Sequence, residues 1–481
     1  MDEAMARRLR AQAAIDDQSW WAEWRATVRL ALPLIAAQLG QIAIHTTDVV
    51  MMGWLGPQPL AAGILGHQVY FMMWLFGLGV LTAVAPLAAQ AIGAQDHERV
   101  RKIVQQGLWL ALGLALPIGW ILWHTETILE WLGQDEGHAL AAGSYLRATL
   151  WGMGPGLAFG VLRSFVSALS RPRCVMIIML AGVGLNILSN YALMFGHFGL
   201  PRLELVGAGI SSSLVNTLMC ASLLAYLLWD AQFRGFHLLR HVWCPAWDSM
   251  RQILGLGLPI GAAMLCESGM FAGAVFMIGW IGTTELAAHA VAMQCAAVSF
   301  MVPLGIAQAS TVRVGLAAGR HDLTGIGRAG WTALGLGVGF MAGTGILFLS
   351  LPKTLVGFFL DLHGAETAPV VQLAIRYLAI AALFQLVDGA QVVGSSILRG
   401  LNDTRIPFGI AAVGYWGVGF GTAYLLGFPL GMEGTGVWLG LASGLAATAL
   451  AFVWRFHRRE RFGLLAAFRG ENREDGCNDD R

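Results

Sequence analysis

A stretch of apolar residues long enough to cross a lipid bilayer occurs twice in this chain, 226 positions apart. Residues 30–56 read LALPLIAAQLGQIAIHTTDVVMMGWLG, and residues 256–282 read LGLPIGAAMLCESGMFAGAVFMIGWIG. Without a gap, Pro33 aligns with Pro259 and Trp54 with Trp280. Such a long match indicates an internal duplication, so the fold is expected to contain two similar halves.

The composition of the chain predicts that both halves lie in a membrane. Hydrophobic residues make up 56% of the sequence and charged residues only 12%, whereas soluble domains are about 25% charged. A spanning helix needs about 20 apolar residues, and the sequence contains twelve segments of that kind. They lie near 28–53, 59–90, 105–124, 143–168, 175–196, 208–229, 253–281, 286–318, 329–351, 371–398, 407–428 and 434–454.

The distribution of basic residues predicts the orientation of these segments. If the N-terminus is placed inside, 24 of the 30 Lys and Arg residues fall on the inner side, and the outer loops carry only Arg202 and Lys353. This asymmetry follows the positive-inside rule, and it predicts that both termini are cytoplasmic in a cell inner membrane. Arg163 and Arg313 lie near inner helix ends, and we expect them to extend to the headgroups.

The duplication and the helix count together predict the architecture. Six helices separate the two copies, and because six is even, both halves face the same way about an axis along the membrane normal. We therefore predict an all-α integral membrane protein with twelve transmembrane helices in two pseudo-symmetric six-helix bundles. The predicted units are a cytoplasmic N-terminal segment 1–27, a bundle 28–229, a cytoplasmic linker 230–252, a bundle 253–455 and a cytoplasmic tail 456–481.

Several classes of function lack support in the sequence. None of the six cysteines falls in a predicted outer loop, so disulfides are not expected, and their spacing does not suggest a metal site. The first 25 residues lack the apolar core of a cleavable signal peptide. The sequence has no HExxH, GxSxG or Walker motif, which leaves an ATP-driven pump and an intramembrane enzyme unsupported. We predict no cofactor and no nucleic-acid partner.

Two acidic residues lie at mid-bilayer depth, where a charge costs roughly 2.5–3.5 kcal/mol and is usually functional. Glu267 lies near the middle of the seventh segment, and Asp388 lies midway along the tenth. Asp388 belongs to a polar stripe at helical spacing, formed by Gln385, Asp388, Gln391, Ser395 and Arg399. Both acids are candidates for binding a cation or a proton, and the alternative for each is a structural hydrogen bond between helices.

A second polar stripe lies on the first segment, and it consists of Gln38, Gln41, His45 and Asp48. On the fifth segment, Asn186 and Asn190 are one turn apart and share a face. Asp48, Gln41, Asn186, Asn190 and Gln385 are therefore candidates for substrate binding or ion coupling. Helix packing is the alternative for each of them.

These motifs resemble the multidrug and toxic compound extrusion (MATE) family, in its NorM-like branch. The resemblance runs from about residue 29 to 455. It rests on DVVMMGWLG with Asp48, LPIGAAMLCESGMFA with Glu267, VRVG before the turn at Gly319, and FQLVDGAQVV and ILRGLNDT with Asp388. LNILSNYALMFG with its two asparagines and the FGLPRLELVGAG loop are also similar to that family.

The resemblance implies a secondary transporter that exports organic cations or drug-like molecules against Na+ or H+, through a V-shaped pair of bundles with alternating access. Glu267, Asp388 and Asp48 match positions that serve there in ion coupling or substrate binding. Glu267 and Asp388 would hold the metal ion if the coupling ion is Na+. Cys266 and His45 depart from the family pattern, which leaves the coupling ion open. We expect a monomer surrounded by membrane lipid.

Two alternatives stay open at this point. A flippase for a lipid-linked or isoprenoid substrate would need a broad cationic cavity, whereas the mid-bilayer charges in this sequence are acidic. A channel would have support only from the polar stripes.

Overall fold

The computed structural model describes residues 19–469 apart from 132, 134, 231–232, 234, 237, 239–243, 363 and 365–366. Most of the predicted N-terminal segment, part of the predicted linker, and the predicted tail beyond residue 469 therefore lie outside the described residues, as does Cys477.

The described part of the chain folds into twelve long helical segments, which confirms the predicted fold class. In chain order, α1 to α12 are Trp20–Leu55, Pro57–Gly93, His97–Trp123, 136–168, Arg173–Phe195, Glu204–Trp229, Trp247–Ile281, Thr283–Gly319, Leu323–Ser350, Ala368–Gly400, Arg405–Gly427 and Glu433–His457. Among the described residues, eleven of these are single helices long and apolar enough to cross a membrane. The chain is a multi-pass membrane protein.

The remaining crossing, α4, is broken into two helices. Glu136–Thr149 and Met153–Ala168 are joined by the 3-10 turn Leu150–Gly152. At this turn, a Cβ on Gly152 would lie 2.7 Å from the Cα of Ser213 in α6. The break therefore lies at a close approach of the backbones of α4 and α6. The short helices Thr125–Trp131 and Pro352–Gly357 precede α4 and α10.

Several helices begin earlier than the predicted spanning segments, including α3 at His97 rather than near 105 and α4 at Glu136 rather than near 143. Two of them begin with a tryptophan, because α1 begins at Trp20 rather than near 28 and α7 at Trp247 rather than near 253. At the start of α1, the Ser19 hydroxyl accepts a hydrogen bond from the Ala22 amide at 3.0 Å, which is a typical N-cap. Both added segments carry exposed tryptophans, including Trp20 and Trp247. Tryptophans are enriched at membrane interfaces, so the helices extend past the apolar windows that the sequence reveals.

Each half of the chain forms one bundle, α1–α6 and α7–α12. In the first bundle α1 packs on α5, and α5 packs on α6. In the second, α10 lies at the centre and packs on α8, α9 and α12. The two bundles meet along two pairs of helices that the duplication relates, α1 with α8 and α2 with α7, and the last part of α2 also packs on α8.

Close backbone contacts join the bundles at the end where α1 begins, which we call the inner end. A Cβ on Gly257 of α7 would lie 2.1 Å from the Val80 carbonyl oxygen of α2. A Cβ on Gly319 of α8 would lie 2.0 Å from the Gln90 carbonyl oxygen of α2. Glycine therefore permits this approach, as small residues commonly do between membrane helices.

Replacing Gly257 by Leu is expected to separate the bundles at this contact. Overpacking of a close contact costs about 1–3 kcal/mol, so the thermal melting midpoint of the purified protein should fall by several degrees. Gly255→Leu is the matched control, because a Cβ at Gly255 meets no atom within 4 Å. Equal melting midpoints for the two variants would show that the contact is not tight.

Candidate functional site

Two clusters of polar side chains lie among the helices of the described chain, one in each bundle. The N-bundle cluster consists of Asp48, Asn186, Asn190 and Ser212. The C-bundle cluster consists of Glu267, Asp388, Gln391, Arg399 and Tyr415. The structure adds further partners to the five cluster members that the sequence predicted as site residues, which are Asp48, Asn186, Asn190, Glu267 and Asp388.

The N-bundle cluster is organised around the carboxylate of Asp48, which is 6% exposed. Asn186 Nδ2 donates to Asp48 Oδ1 at 2.9 Å, and Asn190 Nδ2 donates to the same oxygen at 2.6 Å. Ser212 Oγ donates to Asp48 Oδ2 at 3.4 Å. Burial of a carboxylate is costly unless donors replace its water, and α5 and α6 together supply these donors.

The two asparagines reach one carboxylate because they are one turn apart on α5, which packs against α1. Within the described part of the chain, Asn190 Oδ1 is buried and has no hydrogen-bond partner. An unpaired amide oxygen next to a carboxylate is a suitable ligand for a cation. It can equally accept a hydrogen bond from a protonated group.

The other residues of the α1 stripe lie outside this hydrogen-bonded group. Gln41 is half-buried on α1, two turns before Asp48. His45 stacks on His67 of α2, with ring centroids 4.1 Å apart. Gln38 Oε1 accepts a hydrogen bond from Arg163 Nη1 at 3.1 Å. The prediction that Arg163 extends to the headgroups is therefore wrong, because a neighbouring helix provides an acceptor.

The C-bundle cluster surrounds a small cavity of about 20 Å³ between α7, α10 and α11. Its polar lining consists of Glu267, Gln391, Ser395, Arg399, Thr404 and Tyr415. The Gln391 Nε2 donates to the Tyr415 hydroxyl, and Glu267 lines the same cavity. Arg399 lies within electrostatic reach of Glu267. The carboxylate of Glu267 is thus held in a polar pocket and does not face lipid.

Asp388 lies beside this cavity rather than in its lining. It is 5% exposed, and its Oδ1 has no hydrogen-bond partner among the described residues. The negative charge of Glu267 acts on it. Because two neighbouring carboxylates repel each other when both are ionised, a shared proton or cation stabilises the pair. The two acids that the sequence singled out therefore lie in one electrostatic unit.

Gln385 lies one turn before Asp388 on α10 and is fully buried. Its Nε2 donates to Ser299 Oγ of α8 at 2.6 Å, and its Oε1 has no partner in the described part of the chain. Gln385 therefore links α10 to α8, one of the helices that contact the first bundle.

Sequence reasoning missed Tyr415, which a local π-helix brings to the cavity. Residues Val413–Phe420 of α11 are π-helical, and π-turns often occur at functional sites. The Trp416 indole in this turn donates to the Cys266 carbonyl oxygen at 3.2 Å. The wider turn directs Tyr415 towards Gln391. The signal in the sequence that could have indicated Tyr415 was a tyrosine among closely spaced glycines in an apolar segment.

Sequence reasoning also missed Ser212, His67 and the proximity of Arg399 to Glu267. Ser212 belongs to a run of three serines at 211–213, which is unusual in a spanning helix. Arg399 was part of the predicted α10 stripe, but its position near an inner helix end gave no indication that it faces Glu267.

Comparison with known families identifies relatives over nearly the whole chain. The MatE family model matches residues 33–192 and 259–425, and the two matches begin at the positions that the internal duplication relates. "Probable multidrug resistance protein NorM" of Mesorhizobium japonicum is 44% identical over 460 residues, covering 95% of this chain and 98% of that protein. The protein of the same name from Brucella suis is 42% identical over 452 residues, covering 93% and 96%.

Solved structures share the fold at lower identity. The eukaryotic MATE transporter AtDTX14 superposes with a TM-score of 0.81 at 19% identity, covering 93% of this chain and 99% of that one. An outward-facing multidrug resistance MATE family transporter of the MOP superfamily superposes with a TM-score of 0.81 at 20% identity, covering 92% and 96%.

Proposed function

The chain belongs to the MatE family of multidrug and toxic compound extrusion transporters, and from that premise we propose that it exports organic cations or drug-like molecules in exchange for Na+ or H+. It is a multidrug efflux transporter and not an enzyme. The two buried clusters, one in each bundle, carry the proposal, because a coupling ion needs carboxylates that are withdrawn from lipid and can be neutralised.

In the proposed cycle, a cation or proton neutralises Glu267 or Asp388. Neutralisation removes much of the cost of burying the carboxylate and also weakens the attraction between Glu267 and Arg399. The relative stability of two packing arrangements of α7, α10 and α11, one for each state of the transporter, then changes. Substrate held between the bundles is released on the opposite face of the membrane.

We propose that the protein lies in the cell inner membrane and that the inner end of its bundles faces the cytoplasm, as the distribution of basic residues favours. The backbone contacts at Gly257 and Gly319 close that end. The observed arrangement would then be the outward-facing state, and the cycle would require these contacts to separate.

One coupling ion supplies enough free energy for this exchange. A charge that moves through 100 mV yields about 2.3 kcal/mol, and a tenfold concentration gradient corresponds to about 1.4 kcal/mol. One ion per cycle can therefore sustain an outward gradient of tens-fold.

The experiment that tests the proposal is transport by the purified protein in liposomes, with Na+ and pH gradients imposed separately. Movement of a cationic dye under one gradient identifies the coupling ion. If no dye moves under either gradient, while a labelled lipid-linked isoprenoid crosses the bilayer, the flippase alternative replaces the exporter.

Replacing Asp48 by Asn is expected to slow dye export by about tenfold or more, a change of about 1.4 kcal/mol. The substitution keeps the size of the side chain and removes the charge that Asn186 and Asn190 surround. Ser212→Ala is the control, because it removes the longest of the three hydrogen bonds and should change export less than threefold. Equal rates for the parent and both variants would assign the N-bundle cluster to helix packing.

A further inference from the structure

A basic pocket of about 560 Å³ lies at the inner end of α9 and α12, away from both clusters. It is lined by Trp331, His457, Arg458, Arg459, Glu460 and Arg461. Three arginines against one glutamate give the lining a net positive charge. Arg458 and Arg461 are exposed, so their guanidinium groups are free to contact a ligand.

The third arginine of the pocket is partly buried. Arg459 packs beside Gly327 of α9, and its Cζ lies 4.9 Å from the centre of the Phe456 ring. Its Nη1 donates to the Phe456 carbonyl oxygen at 3.4 Å, whereas its Nε is buried and has no hydrogen-bond partner among the described residues. A desolvated cation is costly unless an anion compensates it, so the pocket favours an anionic ligand.

Aromatic residues place the pocket at the depth of lipid headgroups. Trp331 lies against Phe456 and His457, with ring centroids 5.7 and 6.1 Å away. Trp454, one turn before the pocket on α12, is 57% exposed and contacts Phe462. Exposed tryptophans at the ends of spanning helices mark the membrane interface. An anion at this depth would be part of the bilayer.

We propose that this pocket binds the phosphate-bearing headgroup of an anionic phospholipid. The guanidinium groups of Arg458, Arg459 and Arg461 contact the phosphate, since arginine provides paired donors that match its geometry. The acyl chains lie along the apolar surface of α12 near Trp454. Basic pockets between membrane helices recognise such headgroups. The site is separate from the transport path and does not depend on the exporter proposal.

The test is a lipid titration of the full chain in detergent, with bound lipid counted by native mass spectrometry. Phosphatidylglycerol should bind the parent more tightly than phosphatidylcholine does. Arg458→Gln combined with Arg461→Gln should weaken phosphatidylglycerol binding about 25-fold, the change expected for two basic residues at about 1 kcal/mol each. Arg171→Gln combined with Arg173→Gln is the matched control, because both arginines are exposed at the inner end of the other bundle, and it should leave binding unchanged.

Further measurements distinguish a bound phospholipid from other possible occupants of the pocket. Arg458→Lys combined with Arg461→Lys keeps the charge and should retain most of the binding, which separates loss of charge from misfolding. Inorganic phosphate at equal concentration should not compete, whereas dioctanoyl phosphatidylglycerol should. The acidic segment 470–481 is the rival occupant, with Glu471, Glu474, Asp475, Asp479 and Asp480. The proposal is overturned if lipid binds only after this segment is deleted, if phosphate competes as well as lipid, or if both double Gln variants bind like the parent.

Discussion

Glu267→Gln is expected to lower ion-driven export by at least about tenfold, a loss of 1.4 kcal/mol or more, and Asp388→Asn is expected to have the same effect. Each substitution preserves the shape of the side chain and makes it permanently neutral. Glu267 then no longer attracts Arg399, and Asp388 no longer experiences its repulsion. Ion binding can no longer change the charge of the pair of acids. The step that couples ion binding to the movement of the bundles is therefore lost.

The measurement is dye movement in proteoliposomes under whichever gradient drives the parent. Glu433→Gln provides the matched control, because Glu433 is exposed at the outer start of α12 and its substitution makes the same chemical change away from the cavity. Dye binding to the variants, measured without a gradient, separates a loss of coupling from a loss of substrate affinity. Unchanged transport by both cavity variants would show that the C-bundle cluster does not couple ions.

Breaking the ion pair between Glu23 and Arg313 is expected to open the inner end of the molecule. Arg313 Nε donates to Glu23 Oε1 at 2.9 Å, and its Nη2 donates to Oε2 at 2.5 Å. The side chains are only 10% and 11% exposed, and the pair joins the start of α1 to the end of α8. Arg313 therefore does not extend to the headgroups as predicted, because an acid of the other bundle holds it.

Removing one partner of a buried ion pair costs about 3–5 kcal/mol, which corresponds to a factor of about 100 or more in the population of the joined state. Glu23→Gln should therefore lengthen the distance between spin labels at Lys102 and Arg320, in a background without the native cysteines. The exchange of both charges, Glu23→Arg with Arg313→Glu, should restore part of the short distance.

A surface ion pair offers the control for this experiment. Arg202 and Glu204 form an ion pair at 3.2 Å, and both side chains are more than half exposed. Exposed pairs contribute about 0–1 kcal/mol, so Glu204→Gln should not change the distance between the labels. If Glu23→Gln also leaves that distance unchanged, the ion pair does not hold the inner end closed.

The sequence alone determined the fold class and the presence of candidate acids. The length and apolarity of the segments predict spanning helices, because backbone N–H and C=O groups in lipid must hydrogen-bond to each other. The repeat predicts two bundles, and the basic residues predict an orientation. Acids at mid-bilayer depth are conspicuous because lipid penalises them. Those signals are local, so Asp48, Glu267 and Asp388 could be named without tertiary contacts.

Only the tertiary structure decided which side chains meet. Asn186 reaches Asp48 across 138 positions of sequence, and Arg313 reaches Glu23 across 290. Within lipid, the apolar pattern says little about how each helix is rotated, because both faces can be apolar. The rotation of α10, the π-turn of α11 and the break in α4 arise from close packing between helices, and they determine which polar groups share a cavity.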